Sequence, residues 1–354
     1  MKIRTILPIL LMLTLFSCMK EDPIVENGYY FPPLQGNSWD TTSMESLGWD
    51  RSQLQNLRNY LKDTHTKSFM ILVNGRIVFE EYYDGHTATT PWQWNSAGKT
   101  LVSSITGIAE EDGLLKINEK VSDYLGKKWT SAPEAKEDLI NIRHLLTMTS
   151  GIDDEESQLT IPSKLLYKAD AGTRWAYHNI FQKLMDVVAN ASNKTFDDYF
   201  NEKLASQIGM DGFWRHGLIF RIYHSSARSM ARFGILIQND GKWMDKKIVP
   251  KDFLDDARNP SQDINASYGY FWWLNGKSHF MLPGTQEVFQ STLIPTAPSD
   301  MYAAMGAEDQ RLYIVPSKKM IVIRMGDAAF PLKPSFAVSG FDGELWSKIM
   351  PVIQ

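Results

Sequence analysis

The sequence predicts an α+β fold, with an antiparallel sheet built from both chain ends, flanking helices and an inserted helical subdomain. Three observations support this. Two apolar runs flank Asn74-Gly75 in SFMILVNGRIVFEEYYDG, which is the strongest short signal for a β-hairpin. The middle of the chain shows helical spacing of apolar residues. The last third returns to strand-like runs in YGYFWWLN, QRLYIVP and KMIVIRMG. A cleft is expected between the sheet and the helical part.

The helices follow from the period of the apolar residues. They are expected over 50–63, 101–111, 142–148, 180–191, 196–207, 227–238 and 343–349. We therefore expect a single domain over 34–354, with its sheet part at about 34–95 and 260–354 and its helical part at about 96–259.

Composition excludes several classes of protein. The chain has 354 residues, of which 43% are hydrophobic, and this is enough for a large core. A net charge of −4 argues against nucleic-acid binding. The single cysteine allows neither an intrachain disulfide nor a cysteine metal cage, and no His-Glu-x-x-His motif is present. No metal or other cofactor is expected, and the sequence does not indicate an oligomeric state.

The single cysteine lies in an informative place. Lys2 and Arg4 precede an apolar run that ends in Leu-Phe-Ser-Cys at Cys18, and the run is too short to span a membrane comfortably. It resembles a bacterial lipoprotein signal, with 1–17 removed, 18–33 acting as a tether and the cysteine acylated. This implies lipid anchoring outside the cytoplasm, on the periplasmic side or at the cell surface. A plain signal peptide with an incidental cysteine is the alternative.

Ser96 and Lys99 form a candidate nucleophile and base in WNSAGKTLVSS. They lie one helical turn apart, so their side chains share a face. A serine hydroxyl needs a group that removes its proton, and a lysine can be that group only if burial suppresses its charge. The alternative is a serine that caps a helix beside a surface lysine.

A second polar element occurs in AGTRWAYHN, where Tyr177 and Asn179 follow a glycine turn. A tyrosine on a loop can point into a cleft, where Lys99 would favour its phenolate and let it relay a proton. The Asn179 amide could hold Lys99 or a substrate carbonyl. The alternative for Tyr177 is a core aromatic residue with a satisfied hydroxyl.

These blocks resemble the serine β-lactamase-related hydrolases, which include class C β-lactamases, D-alanyl-D-alanine carboxypeptidases, esterases and 6-aminohexanoate-dimer hydrolases. The resemblance covers roughly 48–350 and is closest to the 6-aminohexanoate-dimer hydrolase branch. It also rests on NIRHLLTMTSGI, SARSMARFGILIQNDGKW and RLYIVPSKKMIVIRMG. It implies a β-lactamase/transpeptidase-like fold, Ser96 as the acylated nucleophile, Lys99 as its base and Tyr177 as a second acid/base. It further implies Asn179 as an accessory group and an oxyanion hole made by the Ser96 N–H and the strand near Gly306.

One family element departs from the pattern. Many relatives carry Lys-Thr-Gly or His-x-Gly before the QRLYIVP strand, and use its cation and hydroxyl to bind the carboxylate of a β-lactam. This chain has MYAAMGAEDQ there, without lysine or histidine and with Glu308 and Asp309. Neighbouring residues of a strand face opposite sides, so only one of Gln310 and Arg311 is expected to face the cleft. We expect Gln310, whose amide suits an ester or amide carbonyl.

The sequence thus predicts a serine hydrolase that cleaves an ester or amide bond of a small substrate through an acyl-enzyme. Two alternatives stay open. One is a non-catalytic or slowly deacylating penicillin-binding type of protein, and the other is a true β-lactamase.

Overall fold

The computed structural model describes residues 25–26, 28–217, 220–330 and 338–354. The expected signal peptide, Cys18 and half of the expected tether lie outside these residues. The helices are α1 Leu54–Asp63, α2 Lys99–Glu111, α3 Val121–Leu125, α4 Glu134–Glu137, α5 Ile142–Leu146, α6 Gln182–Ser192, α7 Phe196–Phe200, α8 Ala227–Gln238, α9 Lys251–Ala257 and α10 Gly340–Ile353. No helix in this part of the chain is long and apolar enough to cross a bilayer.

The strands are short except in the main sheet. They are β1 Val25–Glu26, β2 Tyr29–Tyr30, β3 Thr66–Val73, β4 Arg76–Tyr82, β5 Trp92–Gln93, β6 Phe213–His216, β7 Arg221–Ser225, β8 Lys242–Trp243, β9 Lys246–Lys247, β10 Trp273–Leu274, β11 Phe280–Met281, β12 Val288–Phe289, β13 Tyr302–Gly306, β14 Gln310–Val315 and β15 Met320–Gly326.

The main sheet joins the two ends of the chain, as the sequence predicts. Its strand order is β10-β13-β14-β15-β3-β4, and its pairs are antiparallel. The central pair places Met320 opposite Val73 and Arg324 opposite Phe69. The α+β fold class is therefore confirmed.

The predicted hairpin between β3 and β4 is present. Asn74 and Gly75 have φ values of 50° and 79°, and two positive values are what a type I′ turn requires. A Cβ on Gly75 would also lie 2.0 Å from the carbonyl oxygen of Tyr30. Glycine is required here both by the backbone angle and by the neighbouring chain.

Most predicted helices form, with shifted ends. The 227–238 helix matches α8, whereas the expected 196–207 helix ends as α7 at Phe200 and continues as a π-helical turn to Ala205. The expected strand YGYFWWLN forms only Trp273–Leu274. The rest is a tight turn, because Phe271 has a φ of 68° and a Cβ on Gly269 would lie 1.9 Å from a backbone oxygen.

Helix α8 lies within the residues predicted for the helical part, yet it packs on the main sheet against β14, β15 and β3. Gly234 allows this approach, because a Cβ there would lie 3.0 Å from side-chain atoms of Leu312 and Ile321. Part of the chain predicted for the helical subdomain thus packs on the main sheet instead. One cluster of buried apolar residues runs through both the sheet and the helices.

Candidate active site

Ser96 lies in a 3-10 turn, Asn95–Gly98, that leads directly into α2. Two strands hold this turn from different sides. The Trp94 N–H donates to the Tyr223 carbonyl of β7 at 2.8 Å. The Asn95 side-chain amide donates to the Ala307 carbonyl just after β13 at 2.9 Å. The nucleophile candidate is therefore fixed between β7 and β13.

Lys99 contacts Ser96 directly, with 2.7 Å between Nζ and Oγ. The lysine side chain is buried, and no carboxylate of the described residues lies within ion-pair distance of its Nζ. Aromatic faces surround it instead, with Nζ 4.6 Å from the ring centroid of Tyr177 and 4.3 Å from that of Phe181. Burial lowers the pKa of Lys99 from 10.5 to about 7. A large share of Lys99 is therefore a neutral amine that can accept the Ser96 proton.

The helix-cap alternative for Ser96 does not describe this site. The turn begins at Asn95 after Trp94, and no side-chain cap bond is made at its start. The lysine is also not on the surface. The spacing of Ser96 and Lys99 thus brings the two groups into contact, as expected.

Tyr177 is buried beside the same two residues. Burial raises the pKa of Tyr177 to about 12, while a hydrogen bond with Ser96 and the positive charge of Arg311 oppose this rise. Its hydroxyl is therefore protonated at neutral pH. The expectation that Lys99 favours a phenolate is wrong, because the lysine has itself lost much of its charge and its Nζ faces the ring. Tyr177 is present as a neutral phenol that can donate a proton.

Gly306 ends β13 against the backbone of the nucleophile turn. A Cβ on Gly306 would lie 2.3 Å from the Trp94 carbonyl oxygen and 3.1 Å from the Ser96 nitrogen. Only glycine allows this approach. The residue that reaches the cavity beside Ser96 is the next one, Ala307, which the sequence did not single out.

Asn179 lines the same cavity. Its backbone N–H donates to the Gln158 side chain at 3.1 Å, and its Nδ2 lies 3.5 Å from the Gln158 carbonyl oxygen. The amide is thus directed to the 158 loop, and its expected contact with Lys99 is not made.

The expectation for Gln310 is wrong. Its side chain is buried and does not line the cavity. Its Nε2 donates to the Gly326 carbonyl at 2.6 Å, and its Oε1 accepts from the Gly326 N–H at 3.1 Å. The amide pairs with β15 as a second backbone would. It therefore has no free group for a substrate carbonyl.

The cavity at Ser96 has a volume of about 480 Å³. Beyond the expected residues, its wall is largely apolar and includes Phe181, Phe220, Ile222 and Pro283. Two charged side chains outside the expected set, Asp154 and Arg221, also reach it. No pattern in the sequence marks these residues, because they come from separate loops and strands. Among the described residues, no group of three or more His, Cys, Asp or Glu side chains is placed to hold a metal ion.

Comparison with known proteins agrees with this geometry. No curated protein matches the chain. A solved structure from Bacillus anthracis, provisionally named a 6-aminohexanoate-dimer hydrolase, is 18% identical, with a TM-score of 0.68 over 96% of this chain and 92% of that one. A family VIII carboxylesterase is 13% identical, with a TM-score of 0.66 over 89% of this chain and 98% of that one.

A third solved structure, from Bacteroides dorei and provisionally named a β-lactamase, is 15% identical, with a TM-score of 0.66 over 86% of this chain and 99% of that one. At these identities the likeness concerns the fold. The Beta-lactamase family model, by contrast, matches residues 55–325, which is most of the chain. The chain therefore belongs to the Beta-lactamase family of hydrolases.

Proposed function

We propose that the protein cleaves an ester or amide bond of a small substrate through an acyl-enzyme on Ser96. The observation that carries this proposal is the buried Lys99 amine, with Nζ 2.7 Å from Oγ of Ser96 and a pKa lowered to about 7. A buried lysine with no ionic partner costs stability, so its place beside a serine is best explained by chemistry.

The proposed reaction follows from the protonation states of the site. Neutral Lys99 accepts the Ser96 proton while Oγ attacks the carbonyl carbon of the substrate. The Tyr177 phenol donates its proton to the leaving alcohol or amine, and protonated Lys99 then restores it. Water attacks the acyl-enzyme in the second half, gives up a proton through the same pair and frees Ser96.

The oxyanion of each tetrahedral intermediate would lie at the Ser96 N–H and at the strand end beside it. The close approach of Gly306 to the Ser96 nitrogen supports this, since it brings Ala307 into the cavity next to the nucleophile. Backbone donors held in place before reaction stabilise developing charge strongly. They need no lysine or histidine before the QRLYIVP strand.

Glu308 and Asp309 lie in the segment where many relatives bind the carboxylate of a β-lactam. Asp309 is buried, and its Oδ1 accepts from Arg311 at 2.9 Å and from Ser339 at 2.8 Å. Glu308 accepts from Gln93. Neither carboxylate lines the cavity, so neither is placed to repel a substrate carboxylate. Poor hydrolysis of β-lactams is expected for another reason, because this segment has no lysine or histidine to bind their carboxylate.

The test is turnover of p-nitrophenyl butyrate, linear amide dimers, D-Ala-D-Ala peptides and nitrocefin by the wild type and by Ser96→Ala. We expect ester hydrolysis and phosphonate labelling in the wild type, and a loss of several orders of magnitude in Ser96→Ala. Ser103→Ala is a matched control, because Ser103 is a buried serine of α2 that has no hydrogen-bond partner among the described residues and does not line the cavity. An active Ser96→Ala protein, or a labelled peptide without Ser96, would refute the proposal.

Burst kinetics separates this enzyme from a slowly deacylating binding protein. A protein that only acylates releases one equivalent of nitrophenol and stops, whereas a hydrolase continues to steady turnover. The neutral Tyr177 phenol beside Ser96 supports steady turnover, because the same group can assist both half-reactions.

We also propose that Cys18 carries a lipid that anchors the protein to a bacterial membrane outside the cytoplasm. The support is the sequence alone, namely a basic start and an apolar run ending in Leu-Phe-Ser-Cys.

A further inference from the structure

The cavity beside Ser96 has a cationic residue in its wall. Arg221 begins β7 and lines the cavity together with Phe220 and Ile222. The Arg221 side chain is largely buried, with a relative exposure of 21%. A largely buried arginine is costly unless it has a partner, either from the protein or from a ligand.

One end of the Arg221 guanidinium is fixed by the protein. Its Nη2 donates to the Gln182 carbonyl at 3.0 Å and to Oδ1 of Asp186 at 2.7 Å. The Arg221 backbone N–H also donates to the Gln182 side chain at 3.1 Å. Within the described residues, Nη1 and Nε have no hydrogen-bond partner. The anchored arginine therefore retains donors in a fixed position for a further acceptor.

The charges around Arg221 leave a net positive wall. Its partner Asp186 is shared with a second cation, since Lys183 Nζ lies 3.2 Å from the Asp186 carboxylate. Two cations thus share one carboxylate. The acidic residue of the cavity wall, Asp154, is already paired with Arg174 at 2.7 Å, so it does not neutralise Arg221.

The strand register places Arg221 beside the nucleophile. In the antiparallel pair, Gln93 lies opposite His224, and the Trp94 N–H then bonds to the Tyr223 carbonyl. Continuing the two chains in opposite directions brings the start of β7 alongside the Ser96 turn. Arg221 is two residues from Tyr223, which is roughly 7 Å along a strand. Ser96 and Arg221 also line the same cavity, so one substrate in that cavity can contact both.

We propose that Arg221 is a specificity-determining residue that binds a carboxylate on the substrate, a short spacer away from the carbonyl that Ser96 attacks. The preferred substrates are then esters or amides with an anionic end. This inference rests on the proposed hydrolase function and names its substrate class. It also moves the cation from the β13 side of the nucleophile turn to the β7 side.

The test compares charged and neutral substrates on one preparation. The charged probes are the mono-p-nitrophenyl esters of glutaric and adipic acid, and each neutral partner is its methyl ester. The quantity is the ratio of kcat/KM for the charged ester to that for its neutral partner, which cancels differences in the folded fraction. Ser96→Ala provides the blank for spontaneous hydrolysis. We expect a wild-type ratio of at least about ten for one chain length, since charge-assisted hydrogen bonds of this type change efficiency by roughly ten- to a hundredfold.

Variants of the two neighbouring cations separate contact from general attraction. We expect Arg221→Gln to lower the ratio by about tenfold or more, and Arg221→Lys to give an intermediate value, because it keeps the charge but loses the fork. Lys183→Gln removes an equal charge from the same cluster and should lower the ratio by less than about threefold, since Lys183 does not line the cavity.

An unchanged ratio in Arg221→Gln, or an equal fall in Lys183→Gln, would overturn the assignment. Turnover of the neutral esters with no charge preference would overturn it while the hydrolase function stands. Absence of turnover of every ester and of the amide probes would instead refute the function itself.

Discussion

Replacing Lys99 with methionine should abolish activity and at the same time stabilise the protein. The charged form of Lys99 is disfavoured because its side chain is buried against aromatic rings, and this burial lowers its pKa from 10.5 to about 7. The difference between these two values corresponds to about 5 kcal/mol. This is the amount by which the folded state is penalised, relative to the unfolded chain, when both must carry a protonated lysine.

The sign of the pH dependence follows from proton binding. Below pH 7 the lysine is protonated in both states, so the full penalty is present. Between pH 7 and 10.5 the unfolded chain still binds the proton and the folded protein does not. The stability of the wild type therefore rises with pH by up to about 1.4 kcal/mol per pH unit across this window. Lys99→Met has no such group, so its advantage over the wild type should shrink as pH rises.

The measurement is the free energy of unfolding in urea for both proteins at pH 7.5, 8.5 and 9.5. Subtracting one from the other removes the contribution of every other titrating group. We expect Lys99→Met to be more stable at pH 7.5 by several kcal/mol, and the difference to fall by about 2–3 kcal/mol by pH 9.5.

The exposed Lys62→Met is a control for the loss of a lysine charge. Lys99→Arg should lack activity and be less stable than the wild type, since a guanidinium cannot shed its charge. A difference between the wild type and Lys99→Met that does not change with pH would show that Lys99 is charged in the folded enzyme, and would refute its role as a base.

The remaining predictions concern the other groups of the site and the chain end. Tyr177→Phe should lower kcat by about a hundredfold or more, because it removes a positioned proton donor; a larger loss for substrates with poor leaving groups is the check. Gly306→Ala should lower both stability and turnover, because the new Cβ would meet the Trp94 carbonyl oxygen at 2.3 Å; thermal unfolding and ester kinetics measure this. Nitrocefin should be hydrolysed at least ten- to a hundredfold less efficiently than p-nitrophenyl butyrate on the same preparation. Cys18→Ala should release the protein from the membrane fraction, and mass spectrometry of the N-terminal peptide should show the acyl group in the wild type only.

The nucleophile and its base were predictable because their geometry is local. A spacing of three residues at a helix start brings two side chains together whatever the rest of the fold does, and Ser96 and Lys99 are indeed in contact. The hairpin at Asn74-Gly75 was predictable for a similar reason, since two positive φ values restrict the residue types. Family resemblance then connected Tyr177 to this local pair across more than seventy residues of chain.

The cavity wall was not predictable in this way. Phe181 reaches the cavity from a 3-10 turn, Arg221 from a strand and Pro283 from a loop, and these segments are far apart in the chain. No periodic pattern connects such residues, since their neighbourhood is decided by how the helical part folds onto the sheet. The protonation state of Tyr177 was missed for a related reason. It depends on how deeply the ring is buried, and a sequence does not give that depth.

Strand alternation predicted that only one of Gln310 and Arg311 faces the cleft, and in the structure neither does. Alternation sends neighbouring side chains to opposite faces, and the prediction assumed that one face of β14 borders the cleft. In the structure β14 lies inside the main sheet between β13 and β15, and both of these side chains are buried. Arg311 turns toward α10, where its Nε donates to Asp342 at 2.6 Å.

That buried arginine serves the site from behind the strand. Its Nη1 donates to the Gly306 carbonyl at 2.7 Å, and Gly306 is the residue that lies against the Ser96 nitrogen. Its charge also opposes the rise in the pKa of Tyr177. This segment therefore does have a cation, Arg311, but that cation supports the strand and does not face a ligand. A strand held in this way can supply backbone donors to an oxyanion without supplying a cation to a carboxylate. A cation that does line the cavity, Arg221, belongs to β7, on the other side of the nucleophile turn.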